Sequence, residues 1–195
     1  MARRPRVYLA GPEVFLANAR AIGQRKRAIC ARHGLRGIFP GDAEPPRDPT
    51  RTPQHCALAI SQAMEAAMRS CDAMIVNLTP FRGVSADVGS VYEMGFMRGL
   101  GRPVFGYTHD PICYRDRVAR ACADTLRQRI TGEPEDADGM VVENFGLHDN
   151  LMLAGGLAAS GGHPVSHVVP YPERFTALTA FAQCVAHAAT ALAAS

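Results

Sequence analysis

Glu93 carries the strongest chemical signal in the chain. It stands in Val91-Tyr92-Glu93-Met94-Gly95-Phe96-Met97, a helical run apolar on nearly every side. A carboxylate there is partly desolvated, and burying one unpaired is expensive. One reading pairs it with Arg98 or Arg82, or lets it reach solvent. The other makes it a nucleophile or base whose surroundings tune its pKa. Asp87 lies six residues earlier, at the start of the same helix. Carboxylates are favoured there simply because free N–H groups and the helix dipole stabilise them. Asp72 precedes an apolar strand, an ordinary place for turn chemistry. Taken alone, Tyr8 reads as a core aromatic with a satisfied hydroxyl, and Asn150 as a helix N-cap.

Other chemistries find few residues. Lys26 is the single lysine, so a P-loop with its Gly-Lys-Ser/Thr is excluded. Lys26 falls in the charged run Arg25-Lys26-Arg27, which argues against a Schiff-base role. No G-x-G-x-x-G occurs between Gly83 and Gly89. His163 and His167 are four apart, but Pro164 and Gly161-Gly162 favour a loop with no evident third ligand, so no metal site is expected. None of the six cysteines forms C-x-x-C. Cys71 and Cys113 beside apolar runs, and Cys184 in an Ala-rich helix, read as small buried hydrophobes of a reducing cytosol.

The chain has 195 residues, 47% apolar and 20% charged, with a formal net charge of +3. Residues 1–195 are therefore expected to form one domain with its own core. The charge is too small and scattered to indicate nucleic acid. Arg3, Arg4 and Arg6 imitate the start of a signal peptide, but Gly11-Pro12-Glu13 interrupts the apolar stretch. No run approaches the ~18–20 apolar residues of a membrane span. A cytoplasmic protein is expected.

The elements alternate. Arg6 to Ala10, Arg36 to Phe39, Ala73 to Leu78 and Pro103 to Tyr107 read as strands, with Gly139 to Val142 a possible fifth. Asn18 to His33, His55 to Ser70, Ala86 to Gly99, Ile112 to Gln128, Asn150 to Ala159 and Arg174 to Ala194 read as helices. Pro40 to Pro53 reads as a long loop and Gly132 to Gly139 as an acidic one. This order predicts an α/β fold with a parallel sheet. Ligands of such sheets bind beyond the carboxyl ends of the strands. That points to Gly11-Pro12-Glu13, Thr79 to Asp87, and Tyr107-Thr108-His109.

Three segments together resemble the nucleoside 2-deoxyribosyltransferase family. Tyr8-Leu9-Ala10-Gly11-Pro12 is similar to its opening Y-L-A-G-P. Asp72, then Pro80-Phe81-Arg82-Gly83, then Asp87-Val88-Gly89-Ser90-Val91-Tyr92-Glu93-Met94-Gly95 resemble its D…P-F-R-G…D-x-G-T/S-x-x-E-x-G core. Glu143-Asn144-Phe145-Gly146-Leu147 and Asn150-Leu151-Met152 resemble its E-D-F-G-L…N-L-M segment, with Asn144 where Asp is usual. The resemblance implies a flavodoxin-like, doubly wound sheet of about five strands and a homo-oligomer with shared active sites. It implies that Glu93 is a nucleophile toward C1′ of a 2′-deoxynucleoside and that Tyr8 orients it. Asp72 would engage the base and help protonate it. Asp87, with Asn150 from a neighbouring copy, would hold the 5′-hydroxyl. Gly11, Phe15 and Met152 would complete the substrate pocket. No metal or organic cofactor is implied, and the partners would be nucleosides and nucleobases rather than nucleic acid or membrane.

Two rivals share the fold. Related N-glycosidases hydrolyse nucleoside 5′-monophosphates, but a carboxylate at Asp87 would repel a phosphate, although Arg82 and Ser85 are near in sequence. A non-catalytic nucleoside or nucleotide sensor would keep the pocket and tolerate loss of Glu93.

Overall fold

The computed structural model describes residues 3–45, 48–123, 125–162 and 164–194. Strands β1 (Arg6–Ala10), β2 (Arg36–Ile38), β3 (Ala73–Asn77) and β4 (Val104–Thr108) alternate with helices α1 (Ala19–Arg32), α2 (Pro53–Arg69) and α3 (Val88–Gly99). Helix α4 (Tyr114–Ala121) follows, then a small antiparallel pair, β5 (Arg127–Gln128) and β6 (Pro134–Glu135). Helix α5 (Leu151–Ala158), strand β7 (Val165–Ser166) and helix α6 (Thr179–Ala193) close the fold. The main sheet runs β2-β1-β3-β4-β7, every neighbour parallel. This is the doubly wound five-strand order with flanking helices.

Strand periodicity sorts the core into two layers. Val7, Leu9, Ile75, Phe105 and Tyr107 face α1 and α6, meeting Ile22, Ile29, Phe181 and Val185. Tyr8, Ala10, Met74, Val76 and Val104 face the other way, toward Met68 of α2, Met94 and Met97 of α3, and Leu153 and Leu157 of α5. Register pairs Tyr8 with Met74 and with Ile38, so Tyr8 emerges mid-sheet on the α2–α3 side. Among the described residues no helix is long and apolar enough to cross a membrane.

The fifth strand is Val165–Ser166, beside Tyr107 and Thr108, and not Gly139 to Val142. Asp136 captures the latter: its carboxylate accepts from Met140 N, its N–H donates to Met140 O, and Val141 makes an isolated bridge to Glu135. The helix expected from Ile112 to Gln128 stops at Ala121, because Ala123 takes a left-handed φ of 51° and Arg127–Gln128 pairs with Pro134–Glu135. That pairing also gives part of the expected acidic loop a strand. The last helix begins at Thr179 and not Arg174, after a 3-10 turn at Tyr171–Glu173 that follows Pro170. Pro40–Asp42 forms another short 3-10 turn within the expected loop, and Pro53 already begins α2.

Lys26 is not on a solvated face. It is fully buried, because α1 turns it inward on the stripe of Ile22, Ile29 and Cys30. Of the cysteines, Cys30, Cys71 and Cys184 are buried, whereas Cys56, Cys113 and Cys122 are half-buried.

Candidate active site

Glu93 and Tyr8 meet across the α3–sheet interface. The Tyr8 hydroxyl donates to Glu93 Oε1 at 2.6 Å. Tyr8 is wholly buried, its ring among Ala10, Met74 and Met97. The strand fixes its position and the neighbouring side chains fix its rotamer, so the hydroxyl is a preorganised donor. Glu93 is half-buried and has no ion pair among the described residues. Its two possible cations are engaged elsewhere. Arg98 donates to Ser160 Oγ, and the Arg82 guanidinium lies over the rings of Phe15 and Phe81. Burial therefore pushes the Glu93 carboxyl up to about 7; the Tyr8 bond opposes the shift and the charge of Asp87 adds to it. The Tyr8 hydroxyl is itself pushed up, first by burial and then by the Glu93 charge.

Asp87 is the N-cap of α3. One carboxylate oxygen accepts from Ser90 N at 2.8 Å and Ser90 Oγ at 2.9 Å. That capping is worth about 1 kcal/mol to the helix, and Asp87 is close enough for its charge to act on Glu93. Asp72 lies elsewhere, at the amino end of β3. Its carboxylate accepts from Arg6 N at 2.7 Å and pairs with Arg3 at 2.8 Å, and together these hold it below the usual carboxylate range against a desolvation that raises it. The structure does not bring Asp72 into hydrogen-bond contact with Tyr8 or Glu93.

Gly11 follows β1 on the way to Phe15. A Cβ at Gly11 would fall 2.0 Å from Glu13 Oε2 and 2.8 Å from Asn77 Cβ, so only glycine fits there. Phe15 is 58% exposed and stacks on Phe81 at 5.3 Å. A large exposed ring beside the strand ends is available to a planar ligand. Asn150 caps α5, accepting from Met152 N and donating to Glu143 Oε1 at 2.5 Å. Its neighbour Asp149 is buried and accepts from Ala86 N, so residues 149–150 lie beside the start of α3 within one chain. Met152 projects outward, 73% exposed.

Sequence reasoning missed three partnered acids. Glu65 accepts from the Tyr92 hydroxyl at 2.6 Å and so ties α2 to α3 beside Glu93. Asp149 joins the late segment to the β3–α3 loop. Glu13 is buried against Lys26 at 2.7 Å, with Asn77 and Tyr107 donating to the same oxygen. Only Glu13 had a signal, its place directly after Gly11-Pro12 at a strand's carboxyl end. Among the described residues no three His, Cys, Asp or Glu side chains converge on a metal position. His163 lies outside the described residues.

A carboxylate without a cation, half-shielded and aligned by one phenol, suits nucleophilic or base chemistry at neutral pH. Residues 7–152 match the family described as nucleoside 2-deoxyribosyltransferase. The chain belongs to that family. An uncharacterized Schizosaccharomyces pombe protein is 34% identical over 167 residues, covering 81% of this chain and 79% of its own. A 2-deoxyribosyltransferase from Leishmania mexicana superposes with a TM-score of 0.57 at 25% identity, covering 89% of this chain and 96% of its own. A conserved protein from Enterococcus faecalis shares the fold, with a TM-score of 0.52 at 18% identity over 95% of this chain and 99% of its own. Membership supports an enzyme of the nucleoside deoxyribosyltransferase type, a family that acts on nucleosides and nucleobases.

Proposed function

We propose that the protein transfers 2-deoxyribose between nucleobases through a covalent deoxyribosyl–Glu93 intermediate. The observation that carries this reading is the cation-free Glu93 carboxylate aligned by Tyr8. Tyr8 holds Oε1, and Oε2 has no protein donor among the described residues. In the first step Oε2 bonds to C1′ as the C1′–N bond breaks, and the base leaves with the electron pair and a proton. A second base then attacks C1′ and releases the carboxylate. Two displacements give retention. The oxocarbenium-like transition state is stabilised by the adjacent carboxylate.

The other roles belong to the same proposal. Asp72, held at the amino end of β3 by Arg3 and the Arg6 N–H, has no part in the proposal, and the proton reaches the departing base from solvent. Asp87 holds the 5′-hydroxyl together with Asn150, which the same chain already brings beside the start of α3, while Gly11, Phe15 and Met152 shape the pocket. A homo-oligomer is supported by apolar surface left open on α2 and α3: Leu58 is 61%, Val88 84% and Tyr92 57% exposed. The six cysteines are all free thiols, which suits a reducing cytoplasm.

Incubation with deoxyinosine and adenine tests the reaction by chromatography. The expected product is deoxyadenosine with free hypoxanthine. Hypoxanthine and deoxyribose without deoxyadenosine would replace transfer by hydrolysis. No turnover of any deoxynucleoside or deoxynucleotide would leave only a sensor.

A further inference from the structure

A second concentration of charge lies apart from Tyr8 and Glu93. A cavity of about 620 Å³ opens beyond the carboxyl ends of β3 and β4, where the β3–α3 loop, α4 and the segment before α6 converge. Arg82, Arg117, Arg120 and Arg174 line it, with His109 and Asp110. Arg117 is buried and fully engaged, donating to the carbonyls of Val84, Ile112 and His148 and pairing with Asp149. The other three arginines form no ion pair among the described residues. Against them stands one carboxylate, Asp110, whose Oδ1 accepts from Ile112 N. The lining thus keeps an excess of two positive charges.

Two of these guanidiniums are set by aromatic faces. Arg174 lies 3.5 Å from the Tyr171 ring centroid and 4.7 Å from that of Phe175. Arg82 lies 4.7 Å from Phe81 and 5.1 Å from Phe15. Stacking leaves the in-plane N–H groups free to fork onto an oxyanion. Two buried atoms also lack a partner among the described residues, Arg174 Nε and His109 Nε2. His109 Nδ1 meets the Arg174 carbonyl at 2.7 Å and so carries the hydrogen, which makes Nε2 an acceptor in the neutral ring.

We infer that this cavity binds a sugar phosphate, its phosphate dianion held by Arg82, Arg120 and Arg174 and a sugar hydroxyl meeting His109. The charge excess matches a dianion, and the volume exceeds what free phosphate fills. A hydroxyl supplies the donor that His109 Nε2 lacks, which inorganic phosphate in its dianionic form offers poorly. Arg82 also lies over Phe15 of the proposed nucleoside pocket, but Arg120, Arg174 and His109 contact neither Phe15 nor the Tyr8–Glu93 pair, so the inference does not rest on the reaction at Glu93.

Calorimetric titration with ribose 5-phosphate and with inorganic phosphate, at ionic strength matched by chloride, tests it. Ribose 5-phosphate is expected to bind saturably and more tightly than inorganic phosphate. Binding should persist in Glu93→Ala and weaken about tenfold or more in both Arg120→Gln and Arg174→Gln. Arg120 is exposed, so its variant carries the test if Arg174→Gln fails to fold, as its ligand-free thermal midpoint would reveal. Any of four results overturns the inference: no saturable binding at millimolar ligand, affinity unchanged by the arginine variants, binding lost only in Glu93→Ala, or inorganic phosphate bound as tightly as the ester.

Discussion

Two glutamates are shielded on opposite faces of one sheet, and each accepts a hydrogen bond from a strand tyrosine. Tyr8 donates to Glu93 at 2.6 Å, and Tyr107 donates to Glu13 at 2.7 Å. The difference is the cation. Glu13 has Lys26 at 2.7 Å, which pulls its carboxyl below the ordinary value despite full burial. Glu93 has none among the described residues and is raised to about 7. A phenol alone aligns a carboxylate without committing its charge. An ammonium commits it, and the group becomes part of the scaffold. Glu13, in the Pro12–Phe15 turn, is fully buried, whereas Glu93 keeps one oxygen without a protein donor among the described residues.

The largest separation between the two should appear on deletion. Glu93→Ala is expected to lower turnover by at least about 10⁴-fold, as loss of a covalent nucleophile does. Its stability should change by less than about 2 kcal/mol, since a desolvated carboxylate leaves together with a hydrogen bond. Kinetics and denaturant unfolding of one preparation check both halves. Near-normal transfer by a folded Glu93→Ala would remove the nucleophile assignment.

The scaffold glutamate should behave in the opposite way. Lys26→Met strands a buried carboxylate and is expected to cost about 3–5 kcal/mol of stability. Glu13→Gln combined with Lys26→Met removes both charges yet keeps an acceptor for Asn77 and Tyr107. The double variant should recover at least half of the loss. Urea midpoints of the single and double variants give the coupling directly. If Lys26→Met is as stable as the wild type, the pair is not what holds this face.

How much of this contrast was legible beforehand follows from the physics of each residue. The strand β3, Ala73–Asn77, announces itself because a strand covered on both faces must be continuously apolar. Glu93 stands out for the same reason inverted, as an acid among apolar neighbours. Lys26 did not stand out, because Arg25 and Arg27 flank it and because its partner Glu13 reaches it only through the fold. Ile22, Lys26, Ile29 and Cys30 share one buried stripe of α1, but nothing local says that an ammonium on it will find a carboxylate. Val165–Ser166 was missed because two residues hold no periodicity, while Gly139 to Val142 had the apolar look of a strand and lost it to the Asp136 turn. The resemblance named Asp72, Asp87 and Asn150 as site residues. Local chemistry alone reads Asp87 and Asn150 as caps, and both do cap helices.

The third expectation concerns pH. Glu93 binds its proton more tightly folded, at about 7, than at its ordinary value of 4.5. Between those values the native state holds more protons than the unfolded state, so stability falls as pH rises across the window and stays lower above it. Glu93→Gln removes that penalty. The variant should exceed the wild type by up to about 3 kcal/mol above pH 7, and the gap should close below about 4.5. Glu13 works with the opposite sign, because its lowered pKa contributes stability that is lost on acidification. Urea unfolding of Glu93→Gln and wild type across pH separates the two, and a gap that does not vary with pH would mean that Glu93 is not the group titrating there.

The smallest effect isolates the phenol. The Tyr8 bond favours the ionised carboxylate, so Tyr8→Phe should raise the Glu93 pKa further, by about one unit for one charge-assisted hydrogen bond. The nucleophile must be ionised, so kcat/KM is expected to climb with pH through about 7 in the wild type and to climb later in the variant. Activity at neutral pH then falls for two reasons, a smaller ionised fraction and a less aligned oxygen, and they separate at high pH. If alignment matters, the plateau of Tyr8→Phe stays below that of the wild type even when Glu93 is fully ionised. A plateau that recovers completely would confine Tyr8 to setting the charge of Glu93, and an unmoved midpoint would show that burial alone sets it.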